Sequence, residues 1–369
     1  MRARVAFALL LGAAAAPLTA QQRTERARDM GIALEGTPGP LDAITDVKGV
    51  EVGHVTIVRG EGRLRVGEGP VRTGVTAIFP RGPRNLAPVF AGWFNLNGNG
   101  EMTGTAWIDD YALLLYPILL TNTNSVGTVR DAVIEWGRTR ITDDAFNCCL
   151  PVVAETWDGD LSDIYGFHVT KQHVFQALAQ AAGGPVPEGS VGGGTGMICL
   201  GFKGGIGTAS RRLDRFTVGV LVQCNFGERR LLRIAGAPVG QEITDLQPCY
   251  EGADLDSARG AHRCPRGGAG RQGDRGSIIV VVATDAPLLP HQLRRLARRA
   301  ALGIGRMGGI AGSGSGDLFI AFSTQDIGSP GPDGTGSVRM FPDERIDPLY
   351  EATVQATEEA IINAMLAAR

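Results

Sequence analysis

Between Glu251 and Gly276 lie seven glycines, five arginines and one large aliphatic residue, Leu255. Such a segment buries too little apolar surface to offset the entropy of ordering it, so an exposed, mobile loop is expected over 251–276. The residues that follow, Ser277-Ile278-Ile279-Val280-Val281-Val282, form an unbroken apolar, β-branched run behind a single serine. That run reads as a strand of the core. Any fold for this chain must therefore start a buried strand abruptly, through Gly276-Ser277, at the end of a segment that cannot join the core.

Other elements surround it. Val220-Leu221-Val222-Gln223 is a second buried strand by the same criteria. Val126, Val129, Val133 and Trp136 recur at three and four residues, which predicts an amphipathic helix over 125–137. Val174, Ala177, Leu178 and Ala181 mark another, ended by Gly183-Gly184. A third runs from Pro290 to Met307 with proline in its first turn, and a last one opens at Asp347-Pro348 and buries Tyr350, Val354, Ile361 and Met365. Strands and helices mixed along the whole length favour a layered α/β or α+β architecture. Hydrophobic residues at 43% and charged ones at 20% exclude intrinsic disorder.

The first twenty residues are a separate object. Arg2 and Arg4 precede an apolar stretch from Val5 to Ala16, then Pro17-Leu18-Thr19-Ala20 and a polar Gln21-Gln22. That order is the one a secretory signal peptide has, the alternative being a buried N-terminal helix; cleavage is expected near Ala20, with a periplasmic or secreted destination. The stretch is shorter than the ~20 residues that span a bilayer, and no later window is apolar enough, so no membrane span is expected. A net charge of -2 gives no reason to expect nucleic acid. Export permits disulfides. Cys249 and Cys264 flank the loop and are the best candidate pair, while Cys148, Cys149, Cys199 and Cys224 read as small buried hydrophobes.

Familiar catalytic patterns are missing. Gly303-Ile304-Gly305-Arg306-Met307-Gly308 matches a dinucleotide fingerprint but ends a helix instead of opening one. No phosphate-binding loop ending in Gly-Lys-Ser/Thr, no Gly-x-Ser-x-Gly elbow and no metal-ligand spacing occurs, so neither cofactor nor metal is called for. Only three lysines (48, 171, 203) and five histidines (54, 168, 173, 262, 291) are present, and each histidine reads as structural. Ser277 then needs a different base. Were the Gly276–Ser277 bond cut, Ser277 would gain an α-amine of pKa about 7.7–8.0, suited to that role near neutrality. The alternative is an ordinary turn.

Longer motifs decide between these. Arg28-Asp29-Met30-Gly31-Ile32, Gly39 to Val47, Val52-Gly53-His54-Val55-Thr56, Asn97 to Gly104, Leu120 to Gly127 and Val153 to Gly159 carry one resemblance. So do Gly201 to Thr208, Val222 to Gly227, Gly276 to Val280, Thr284 to Pro287 and Gly314-Ser315-Gly316-Asp317. In that order, across nearly the whole chain beyond the leader, they resemble the DmpA-type L-aminopeptidase/D-esterase and β-peptidyl aminopeptidase family.

The resemblance implies an α+β fold, an αββα four-layer sandwich akin to N-terminal-nucleophile hydrolases. It further implies a precursor that cuts itself into residues 21–276 and 277–369, which assemble as a homo-oligomer. Ser277 would be the nucleophile and Asn225 the oxyanion donor. Ser315 and Asp317 would polarise the nucleophile region, Glu155 would hold the substrate's free amine, and Trp157 would line the pocket. Lys203 is a further candidate, against a solvated loop charge. The substrate implied is a peptide, amino-acid amide or ester with a free N-terminus. Rival readings are an endo-acting oligoamide hydrolase, an acyl transferase, or a non-catalytic binding protein on the same fold.

Overall fold

The computed structural model describes residues 25–138, 140, 150–245, 276–328, 331 and 333–369. The expected leader, most of the 251–276 loop, and Cys148, Cys149, Cys249 and Cys264 lie outside the described residues.

Two sheets stack face to face. One has four strands in the order β1 (Glu51–Arg59), β2 (Val71–Phe79), β5 (Ile118–Asn122), β6 (Val153–Thr156). The other has six, in the order β4 (Leu113–Leu114), β3 (Val89–Gly98), β12 (Gly316–Ser323), β11 (Ser277–Thr284), β10 (Thr217–Asn225), β9 (Gly205–Arg212). The apolar run after Ser277 is β11, and its alternation explains its composition. Ile279, Val281 and Ala283 enter the layer between the sheets, with Ile118, Leu120 and Ala154 of the facing sheet. Ile278, Val280 and Val282 point the other way, beneath two helices. Both faces are covered, so every residue of the strand is buried.

Those helices are α5 (Pro290–Arg306) and α6 (Asp347–Ala367), which form one outer layer; the short α1 (Thr105–Tyr111) and α4 (Val239–Glu242) precede them in the chain. On the far side α2 (Val126–Gly137) and α3 (Lys171–Ala179) cover the four-stranded sheet through Val129, Val133, Val174 and Leu178. The result is the α+β sandwich with layers αββα. Gly207 of β9 shows how closely they approach: a Cβ there would overlap the Ala360 carbonyl oxygen and lie 2.6 Å from Ala364 N of α6. Among the described residues no helix is long and apolar enough to cross a membrane.

Two expectations need correction. The helix from Val174 ends at Ala179, before Gly183-Gly184, because Ala182 exchanges both backbone hydrogen bonds with Val52 of β1 and so leaves the helical path. Cys199 and Cys224 are not merely buried hydrophobes. They form a disulfide across a Cα separation of 5.5 Å, because the two-residue strand β7 (Ile198–Cys199), paired with β8 (Phe202–Lys203), is folded back against the end of β10.

Candidate active site

Three strand ends meet at one point. Asn225, the last residue of β10, pairs with Ser277, the first of β11, and Ser277 pairs with Gly316, the first of β12. The β10–β11 pair is antiparallel and the β11–β12 pair parallel, with α5 as the crossover, so all three residues fall at the same end of the sheet's central strands. Ser277 is buried, and its Oγ accepts a hydrogen bond from Gly316 N at 3.2 Å. On either side of Gly316, the Ser315 hydroxyl donates to Asp317 Oδ1 at 2.7 Å, both side chains fully enclosed. Gly276 packs tightly: a Cβ there would overlap the Asn225 carbonyl oxygen and lie 2.7 Å from Phe226 Cα.

The Asn225 amide is fixed at both ends. Its Oδ1 accepts from Ile198 N at 2.7 Å, and its Nδ2 donates to the Trp157 carbonyl at 2.9 Å. An amide nitrogen carries two hydrogens, so the oriented group keeps a second N–H to offer.

Glu155 sits on β6, across the sheet interface, and joins the same site through the turn at Gly100. A Cβ on Gly100 would lie 3.3 Å from Glu155 Oε1 and 3.2 Å from Gly316 Cα, so the carboxylate and the start of β12 press on one glycine. Asn99 anchors that turn by donating to Gly314 O at 2.8 Å. Glu155 is almost wholly buried; its Oε1 accepts from Glu101 N at 2.9 Å and its Oε2 from the Thr123 hydroxyl. No lysine, arginine or histidine pairs with it among the described residues, and burial pushes its carboxyl above the usual carboxylate range.

Trp157, half-buried, meets Tyr165 edge-on, ring centroids 6.2 Å apart at 72°. Lys203 is exposed on β8, opposite Ile198, and its side chain hydrogen bonds with none of the described residues. The structure therefore gathers Ser277, Asn225, Ser315, Asp317, Glu155 and Trp157, and leaves Lys203 exposed on β8. Three of the four described histidines have structural partners elsewhere. His54 is pushed down to about 4 by burial and faces Thr76 Oγ1 at 2.9 Å; His168 meets Asp163 at 2.8 Å; His173 accepts from Thr170 N.

Three residues at the site had no part in the sequence expectation: Thr123 on Glu155, Asn122 beneath it, and Asp158, whose carboxyl is pushed up to about 7 mainly by burial. The signal for Asn122 and Thr123 is the polar run Thr121-Asn122-Thr123-Asn124-Ser125 directly after an apolar stretch; Asp158 has none of its own.

Residues 42–369 match the model of peptidase family S58. The chain belongs to that family. It is 51% identical to the beta-peptidyl aminopeptidase BapA of Sphingosinicella microcystinivorans over 369 residues, covering 99% of this chain and 89% of the relative. A second such aminopeptidase, from Sphingosinicella xenopeptidilytica, is 48% identical over 95% of this chain and 86% of its own length. Among solved structures, the L-aminopeptidase D-Ala-esterase/amidase of Ochrobactrum anthropi, described as a prototype for the serine aminopeptidases and a new variant among the Ntn hydrolase fold, superposes with a TM-score of 0.80. Its identity is 47%, over 93% of this chain and 91% of that one. Membership of S58 makes the protein a peptidase, and its relatives make it an aminopeptidase.

Proposed function

We propose that this is an exported serine aminopeptidase that activates itself by cutting between Gly276 and Ser277. The observation that carries the reading is the alignment of Asn225, Ser277 and Gly316 at one end of three neighbouring central strands. In the continuous chain the Ser277 hydroxyl attacks the Gly276 carbonyl carbon. The peptide bond gives way to an ester, and water hydrolyses it to leave a carboxylate on Gly276 and a free α-amine on Ser277. That amine is the base that the site, with no histidine among the described residues, otherwise lacks. In turnover it takes the hydroxyl proton as Oγ attacks the carbonyl of the substrate's first residue, and passes it to the departing amine. The second N–H of Asn225 stabilises the oxyanion. Ser315 and Asp317, bonded to each other around Gly316, polarise the hydroxyl's surroundings. Water then releases the acyl group.

Glu155 explains why the enzyme acts on a free N-terminus. A buried carboxylate without a basic partner is costly, and a substrate ammonium supplies the missing charge. Trp157 lines the pocket. The leader-like residues 1–20 and the Cys199–Cys224 disulfide support an oxidising, extracytoplasmic location. The β-peptidyl aminopeptidases among the relatives make β-amino-acid termini the first substrate class to test, alongside L-α and D residues and their esters. Cleaved protomers assemble into a homo-oligomer.

Intact-mass spectrometry with a panel of amino-acid anilides tests this. Active protein should consist of two chains that part at Gly276–Ser277, and Ser277→Ala should stay whole and inactive. A single uncut chain that hydrolyses anilides refutes the mechanism. Glu155→Gln should lose its preference for free-amine over N-acetylated substrates; an unchanged preference refutes the role of Glu155.

A further inference from the structure

We propose that Asp158 is a positioning residue for this site, acting through Asn122 and Thr123 to aim Glu155; the proposal rests on the role given to Glu155 above. Asp158 is wholly buried, three residues past Glu155 at the exit of β6. Its Oδ2 accepts from Asn122 Nδ2 at 2.9 Å, and the same nitrogen donates to Thr73 Oγ1 at 2.8 Å. Both hydrogens of the Asn122 amide are thereby spent, which fixes the direction of its oxygen. That oxygen accepts from Ser125 N at 2.9 Å and caps the single 3-10 turn Thr123–Ser125. The first residue of the turn is Thr123, whose hydroxyl donates to Glu155 Oε2.

The connections close a ring. From Asp158 they run through Asn122 to Thr123, across to Glu155, and back along the backbone through Thr156 and Trp157. The Asp158 end of the ring is held separately, because its carbonyl accepts from Leu161 N at 3.0 Å and Ser162 N at 2.9 Å. Among the described residues Glu155 accepts two hydrogen bonds, one of them from a hydroxyl that can rotate. Without the cap, the turn loosens and that hydroxyl loses its aim. Asp158 Oδ1, by contrast, has no hydrogen-bond partner among the described residues, so an amide in its place keeps the oxygen that faces Asn122 and Thr73.

The test is a double-mutant cycle on the processed enzyme with a free-amine amino-acid p-nitroanilide. Asp158→Ala should raise KM about tenfold with kcat little changed, because the ammonium contact is what is lost. Asp158→Asn should restore KM. In a Glu155→Gln background, Asp158→Ala should add nothing further. Thr123→Val removes only the hydroxyl and should reproduce the KM effect, which keeps the proposal testable if the alanine variant does not fold. Multiplying effects in the double variant, a fall in kcat at constant KM, or a Thr123→Val enzyme like wild type would each overturn the proposal. A Glu155→Gln enzyme with unchanged KM locates the failure in the role of Glu155 itself.

Discussion

Asp158→Asn should flatten the dependence of stability on pH. In the native protein the Asp158 carboxyl is pushed from 3.8 to about 7, first by burial and further by the Glu155 charge, against opposing hydrogen bonds from Thr73 and Asn122. Below the unfolded value both states hold the proton, and the native state is not penalised. As pH rises from about 4 to 7 the unfolded chain releases the proton while the folded one keeps it, so stability falls through that window and then levels off. A displacement of about three units at 1.36 kcal/mol each amounts to roughly 4 kcal/mol. Asparagine has no proton to lose, so the variant should match its parent near pH 4 and exceed it by an amount of that order at pH 8. Asp42, likewise raised to about 7 by burial and then by Glu359, is untouched by the substitution and keeps part of the slope. Urea unfolding in a Ser277→Ala background, which preserves one covalent chain, gives the comparison. Parallel stability curves for the two proteins would show that Asp158 is ionised in the native state, and the reasoning would fail.

The other predictions concern the proposed cut and its neighbours. Asn225→Ala removes the proposed oxyanion donor and should lower kcat about 10²–10³-fold; it also takes the acceptor from Ile198 N–H, at about 1–3 kcal/mol in unfolding experiments. A kcat within a few-fold of wild type would remove Asn225 from the mechanism. Gly276→Ala forces a methyl onto the Asn225 carbonyl, and a shift of about 1 Å in the scissile peptide should slow self-cleavage on the order of 10²-fold, read by intact mass over time. Processing at the normal rate would mean that this packing is irrelevant to the cut. Glu359→Gln strips the charge from a fully buried carboxylate that pairs with Arg211 at 2.6 Å and Arg28 at 2.9 Å. The loss should be about 3–5 kcal/mol, seen as separation of the two chains at lower urea; unchanged separation would show that the cluster does not hold them.

What could be read from the sequence was local. The β-branched run after Ser277, the proline that opens α5 and the Asp347-Pro348 start of α6 each carry their signal within a few residues. The order of strands does not, because it depends on contacts between segments far apart in the chain. Hence the Cys199–Cys224 disulfide was missed: Cys224 sits in an apolar strand, and its partner occupies a strand only two residues long. The early end of α3 was missed for a related reason, since β1 captures Ala182 from outside the helix. At the site, Ser277, Asn225, Ser315, Asp317, Glu155 and Trp157 could be named because each lies in an extended motif. Asn122, Thr123 and Asp158 lie in the same motifs, but they touch one another, and that relation has no pattern along the chain.

The topology also accounts for how an enzyme could be cut beside its nucleophile without coming apart. Ser277, Ser315 and Asp317 lie after the proposed cut, and Asn225, Glu155 and Trp157 before it. β11 lies between β10 and β12, with pairing to β10 running unbroken from Val218 opposite Thr284 to Asn225 opposite Ser277. The bond between Gly276 and Ser277 lies just outside that ladder, so breaking it costs none of the strand pairing. Eight buried residues on β11, the helices that follow it, and the ion pairs from Glu359 to Arg211 and Arg28 keep the later segment in place. A strand held this firmly has no freedom to withdraw, so the amine released by the cut emerges at the Ser277 position already paired with Asn225. That is the condition a self-made base must meet, since an amine that had to search for its hydroxyl would forfeit the advantage of fixed orientation.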